Sequence, residues 1–220
     1  MFSKLSASGY LNNSVFYNKE FEDILSKIIV CYKLMLADNV DLTNDENAIR
    51  DFFLIKYLKN NDIRKEIGLI NYLFDREVPE DTSIGRTDIK IQTLNTFVDT
   101  AAYYTIECKR LDAINLAGTT GLNAKYIENG ICRFTSKTYS TYYKTNGMMG
   151  FVTQSIDIHQ NVVFINQLLK NSFSQANTNR ELMQRNIVHD FDYAYSSTHD
   201  TVDGEILIYH LMFDFTGNIK

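Results

Sequence analysis

The chain has 220 residues, 45% of them hydrophobic, with 14 Phe and 14 Tyr but no Trp, which is enough apolar material for one packed domain. Its 22 basic side chains are outnumbered by 27 acidic ones, giving a net charge of −5 and a pI near 5.4, so a uniformly basic surface for indiscriminate nucleic-acid binding is excluded. A single proline, 10 glycines and no apolar run near the roughly 18 residues of a membrane span argue against a linker-rich or membrane chain.

Residues 1–13 are polar and lack the apolar stretch of a signal peptide. From Val15 to Leu36, Phe21, Ile24, Leu25, Ile28, Tyr32 and Met35 recur at helical spacing and predict an amphipathic helix. Residues 37–42 read as a linker. Thr43-Asn44-Asp45-Glu46 then opens a second helix, with Ile49, Phe52, Phe53 and Tyr57 on one side, and its S/T-x-x-E spacing is that of a capping box. Polar residues 60–66 are expected to end that helix. Leu69–Val78 reads as a first strand, turned by Pro79-Glu80-Asp81.

Two further strands follow. Ile89 and Ile91 alternate with Asp88 and Lys90, and Tyr104, Ile106 and Cys108 alternate with Thr105, Glu107 and Lys109. Strand side chains repeat every two residues, so Glu107 and Lys109 share one face and Cys108 takes the other. If the strands pair, Asp88 lies beside Glu107. Residues 115–123 form a Gly- and Thr-rich loop that lacks the phosphate-loop pattern. Ala124–Phe134 reads as a helix carrying Lys125 and Arg133, with Lys137 beyond. Tyr139, Tyr142 and Tyr143 then stand among Lys and Thr, a pattern that suits base stacking as well as ordinary half-burial. A short buried strand over 147–153, a helix from about Ser155 to Phe173, a polar loop over 174–180 and two strands, 187–197 and 205–215, complete the chain. His189, His199 and His210 lack a nucleophile frame and read as core or edge residues. Cys31, Cys108 and Cys132 have neither zinc nor disulfide spacing, so free, buried thiols and a cytoplasmic setting away from membranes are expected.

The elements add up to an α/β fold with a mixed central β-sheet, of five or so strands, flanked by α-helices. Two carboxylates and an ammonium on one sheet face repel or pair, and a divalent cation relieves the crowding of the acids. Such a face suits phosphodiester hydrolysis, which needs positioning and charge stabilisation.

Asp88 within Gly85-Arg86-Thr87-Asp88-Ile89, followed by Ile106-Glu107-Cys108-Lys109-Arg110, resembles the PD-(D/E)xK, or restriction-endonuclease-like, nuclease superfamily. Thr87 stands where the family name has proline. The resemblance is most detailed over residues 40–155, with the first helix and last strands as additions to one domain spanning 1–220. It implies a restriction-endonuclease-like core and a metal-dependent nuclease using Mg2+ or Mn2+ on nucleic acid, DNA ahead of RNA. Asp88 and Glu107 would be metal ligands, with the Cys108 carbonyl as a third. Lys109 would position the attacking water, Glu46 (or Asp45) would assist from the preceding helix, and Lys125 and Arg133 would be substrate-binding groups. Glu77 is a second auxiliary acid.

Four alternatives stay open. Asp88 and Lys109, with Glu107 and Lys90, would equally form a ladder of cross-strand ion pairs. Asp88-Ile89-Lys90 is itself a D-x-K that would need Asp75 or Asp81 as its partner. The chain could also be a non-catalytic binding or assembly protein on the same fold, or a nuclease subunit needing a partner; a homodimer is compatible with all of them.

Overall fold

A computed structural model describes residues 14–79, 86–136, 138–139 and 142–220. The residues Glu80, Asp81, Gly85 and Lys137, named above, lie outside it. Seven strands form one mixed sheet in the order β1-β2-β3-β4-β7-β6-β5. They are β1 (Leu73–Pro79), β2 (Arg86–Gln92), β3 (Tyr103–Leu111), β4 (Thr145–Val152), β5 (Thr178–Gln184), β6 (Ala194–Thr201) and β7 (Gly204–Asp214). The central pairs β3–β4 and β4–β7 are parallel, and the outer pairs are antiparallel.

Helices cover both faces of the centre. On one side lie α1 (Ser14–Ala37), α2 (Glu46–Phe53, continued by a π turn over Leu54–Leu58) and α3 (Asn61–Glu66). Their apolar residues pack with Ile89, Ile106, Met149, Leu211 and Phe213 of the sheet. On the other side, α4 (Leu122–Tyr126), a π turn over Ile127–Ile131 and α5 (Cys132–Thr135) form one helical run beside α6 (Ile158–Asn171). They pack with Leu111, Met148, Ile208 and Met212. Each large apolar side chain buried this way contributes about 1.5–3 kcal/mol. Two-sided cover explains why β4 is buried at every residue and carries no polar alternation. It also explains why Met148 and Met149 point into opposite cores.

The α/β class and the flanking of a mixed sheet by helices are as expected, while the strand number is larger. Residues 178–184 form β5, an edge strand whose first three residues, Thr-Asn-Arg, fall in the stretch expected as a polar loop, because one side of the strand is open to solvent. The strand expected over 187–197 begins only at Ala194, and the one expected from Leu69 begins at Leu73. Residues 60–66 do not end the helical region but form α3, capped by the Asn60 side chain. Cys31, Cys108 and Cys132 are free and buried. Among the described residues, no helix is long and apolar enough to cross a membrane.

Candidate functional site

β2 and β3 pair from Gln92↔Tyr103 to Ile89↔Ile106, and beyond that point carboxylates take over the ladder. The Cys108 N–H donates to Asp88 Oδ2 at 2.8 Å, and the Arg110 N–H donates to Glu46 Oε2 at 2.8 Å. Residues two apart on a strand turn their amides the same way, so two neighbouring donors of β3 are capped by acids where strand carbonyls would otherwise sit. Here β2 and β3 part, and these acids fill the cleft between the two strands toward the C-terminal end of β3.

Glu46 reaches the cleft because it is free of capping duty. The helix N-cap is Asp45, whose Oδ1 accepts from Ala48 N at 2.8 Å, so the capping box expected from Thr43 is not the one used. Glu46 is thus the first helical residue, aimed at β3 rather than back at its own helix.

Lys109 fills the middle. Its Nζ donates to the Cys108 carbonyl at 2.6 Å, to Glu107 Oε1 at 2.7 Å and to Glu46 Oε1 at 3.2 Å, and lies 3.7 Å from Asp88 Oδ2. Glu107 has no solvent exposure. Its Oε1 also accepts from Arg133 Nη1 at 2.8 Å and its Oε2 from the Tyr139 hydroxyl at 2.6 Å. Burial pushes the Glu107 carboxyl up to about 7; the charge of Asp88 pushes the same way, against Lys109 and Arg133. For Lys109, burial acts to lower the pKa, but Glu107, Asp88 and Glu46 together hold it above the ordinary lysine value.

Asp88 is steadied from behind. Arg50 is 2% exposed and is spent entirely on acids: Nη1 donates to Asp88 Oδ1, Nη2 to Glu77 Oε1 and Nε to Asp51 Oδ1, each at 2.9 Å. Arg76 supplies a second cation to Asp51. Glu77 lies across β1–β2 from Asp88 and holds φ at +48°, a left-handed conformation that costs a non-glycine residue about 1–3 kcal/mol. On the other side, Gly130 of the π turn lets the helix approach the sheet, since a Cβ there would stand 3.6 Å from Lys109 Cγ and collide with the Met148 side chain.

Of the residues singled out in the sequence, Asp88, Glu107, Lys109, Glu46, the Cys108 carbonyl and Arg133 therefore meet in one cleft. Lys125 does not; it is exposed on α4 and makes no hydrogen bond or ion pair with these acids. Glu77 joins only through Arg50. The ladder of ion pairs is half present: Asp88 does approach Lys109, but Lys90 sits 3.8 Å over the Tyr103 ring instead of on Glu107. The D-x-K alternative finds no support from Asp75, which is held by Lys59 and Gln92. Arg50 and Tyr139 were not anticipated. Arg50 had a legible signal: it lies one turn after Glu46, next to Ile49 on the buried side of an amphipathic helix. Tyr139 had none, because its contact with Glu107 spans 32 residues and a loop.

The donors are all oxygens, from three carboxylates and one carbonyl, which is the set that small hard cations such as Mg2+ accept. Their point of convergence is taken by the Lys109 ammonium, and among the described residues no three His, Cys, Asp or Glu side chains are grouped as metal ligands. The chemistry of the donor set thus fits a divalent ion, provided Nζ gives way to it.

Fold and site together define an α/β sheet protein with a cluster of paired acids where two strands part. No family model matches the chain, and no curated protein or solved structure matches it.

Proposed function

We propose that the protein is a divalent-metal-dependent nuclease of restriction-endonuclease-like type, hydrolysing phosphodiester bonds in nucleic acid, DNA ahead of RNA. The observation that carries this reading is the meeting of Glu46, Asp88, Glu107 and the Cys108 carbonyl around Lys109. Asp88, Glu107, the Cys108 carbonyl and Glu46 would hold Mg2+ or Mn2+. That ion supplies charge neutralisation at phosphorus and acidifies a bound water. Lys109, released from the acids, orients the attacking water and stabilises negative charge on the phosphoryl oxygens. Arg133 keeps 39% of its side chain exposed while touching Glu107, so it can meet a phosphate at the mouth of the cleft. Arg50 and Tyr139 hold Asp88 and Glu107 in place.

Incubation of the purified protein with DNA and RNA panels in Mg2+ or Mn2+, beside Glu107→Ala and Lys109→Ala, tests the reading. Cleavage by the natural protein and its loss in both variants are expected; cleavage unchanged by either substitution rejects these assignments.

One observation favours a second reading, a non-catalytic binding or assembly protein. Each acid at the cleft already has a cation: Asp88 has Arg50, Glu107 has Arg133 and Lys109, and Glu46 has Lys109. A self-neutralised cluster needs no ion. Mn2+ binding that disappears in Asp88→Ala supports the enzyme, and absence of binding at millimolar Mn2+ supports the second reading.

A further inference from the structure

On the α1 side of the sheet, one line of residues crosses four strands: Thr145 of β4, Leu207 of β7, Thr198 of β6 and Arg180 of β5. At about 4.8 Å per strand the line is about 14 Å long. α1 roofs only its first half, where Thr145 bonds Asn18. The second half is the floor of an open trough formed by two adjoining cavities of about 500 and 480 Å³, which share Asn18, Arg180 and Leu207.

Three side chains of this trough have no hydrogen-bond or ion-pair partner among the described residues. The Arg180 guanidinium is exposed and makes no hydrogen bond or ion pair with any described residue. Thr198 and Ser196 are 6% and 7% exposed, and their hydroxyls face the cavities without a hydrogen-bond partner among the described residues. The two hydroxyls and the guanidinium thus offer donors, side by side, to acceptor oxygens entering the cavities. The cavities are lined by Lys19, Lys144, Arg180 and Arg185 against only Glu22 and Glu205, a cationic surface in a protein of net charge −5. Glu22 is already tied to Arg185 and the Tyr209 hydroxyl, and Glu205 to Asn179. At the Lys144 end stands Tyr142, 48% exposed and edge-on to Tyr143 at 90°, which leaves ring surface open to a flat partner.

We propose that this trough binds single-stranded nucleic acid, with backbone phosphates on Arg180, the Thr198 hydroxyl and Lys144 and a base against Tyr142. Arg180 and Thr198 are cross-strand partners, so guanidinium and hydroxyl can grip the same phosphate. The exposed ring selects nucleic acid over an acidic peptide, because stacking needs a flat partner at each repeat. This site shares its partner class with the nuclease reading but none of that cleft's residues, and it needs no metal.

The test is fluorescence anisotropy with labelled oligothymidylate and oligoadenylate in EDTA at low salt. Arg180→Glu is expected to weaken binding at least tenfold, and Arg180→Gln to lower the salt slope by about one. Tyr142→Ala should weaken binding about fivefold or more, the loss of one stacked base. Circular dichroism of each variant checks folding, and Thr198→Val provides a second, isosteric probe inside the trough. Failure of the natural protein to bind either oligonucleotide overturns the proposal, as does binding that is indifferent to Arg180→Glu and Tyr142→Ala. Displacement by a polyglutamate peptide as effective as that by unlabelled oligonucleotide would assign the trough to acidic peptides instead. Because no metal is present, none of these results bears on cleavage at the cleft.

Discussion

Glu107 and His210 are both fully buried, and both project from inner strands to the same side of the sheet, yet their networks are built on opposite principles. The histidine network is neutral and closed. His199 Nδ1 faces the Ala176 carbonyl at 2.9 Å, which can only accept, so Nδ1 carries the proton and Nε2 accepts from Ser197 at 2.7 Å. Ser197 Oγ then accepts from His210 Nε2 at 2.8 Å, and His210 Nδ1 accepts from the Tyr126 hydroxyl at 2.8 Å. Every donor runs in one direction, and the Thr178 hydroxyl, 3.2 Å from His199 Nδ1, is a second acceptor for the proton there. Burial holds both imidazoles neutral, with His199 pushed down to about 4 and His210 well below its ordinary value. The cleft is the reverse: Glu46, Asp88 and Glu107 converge on Lys109, with Arg50 and Arg133 as further cations, Glu46 and Arg133 are partly exposed, and a left-handed Glu77 is tolerated at its back. The first network is held by neutral hydrogen bonds alone, the second by charges that must be matched one against another.

The largest effect should come from Arg50. Arg50→Met leaves Asp88, Asp51 and Glu77 without their shared buried cation, at an expected cost of about 3–5 kcal/mol in urea denaturation. A loss under about 1 kcal/mol would show that these acids do not depend on it.

The two networks should also be separable by pH. His199 is depressed, so its stabilisation is present above its unfolded value of 6.5 and is lost as the pH falls toward 4, a change of about 3 kcal/mol at 1.36 kcal/mol per pKa unit. Glu107 is raised, so its stabilisation is present below 4.5 and is lost as the pH rises through about 7, again about 3 kcal/mol. The two oppose each other between 4.5 and 6.5. Glu107→Gln should therefore steepen the fall in stability on acidification over that window, and His199→Gln should flatten it. Denaturation midpoints between pH 4 and 7.5 check both, and identical slopes in the two variants would contradict the contrast.

A smaller effect is expected of Tyr139→Phe, which removes one hydrogen bond to the buried Glu107 carboxylate and should cost about 1.5–3 kcal/mol in thermal or chemical denaturation. The smallest concerns the helix start: Asp45→Ala should cost about 1 kcal/mol and Thr43→Ala much less, because only Asp45 caps α2. The reverse order would restore the capping box.

That last pair shows how far the sequence could be read. Alternation put Glu107 and Lys109 on one face, because a period of two is enforced by strand geometry whatever surrounds it, whereas Asp88 beside Glu107 depended on β2 pairing with β3, which it does. Glu46 was legible as an acid near a helix start, but Thr43 and Asp45 were both competent caps, and only the approach of β3 decides between them. β5 was missed because an exposed edge strand has little apolar pattern to show, and Arg50 because a buried arginine breaks the rule that helix faces toward a core are apolar. Tyr139 depends on a chain reversal that no local pattern encodes.

Calorimetric titration of Mn2+ into the natural protein and into Lys109→Met tests the central claim most directly, because the lysine and the metal would compete for the same oxygens. The nuclease reading predicts millimolar or tighter binding by the natural protein, at least tenfold tighter binding by Lys109→Met, and a thermal midpoint in that variant that rises with Mn2+. No heat of binding from either protein at millimolar Mn2+ would contradict it, and would leave the cleft a self-neutralised ion cluster.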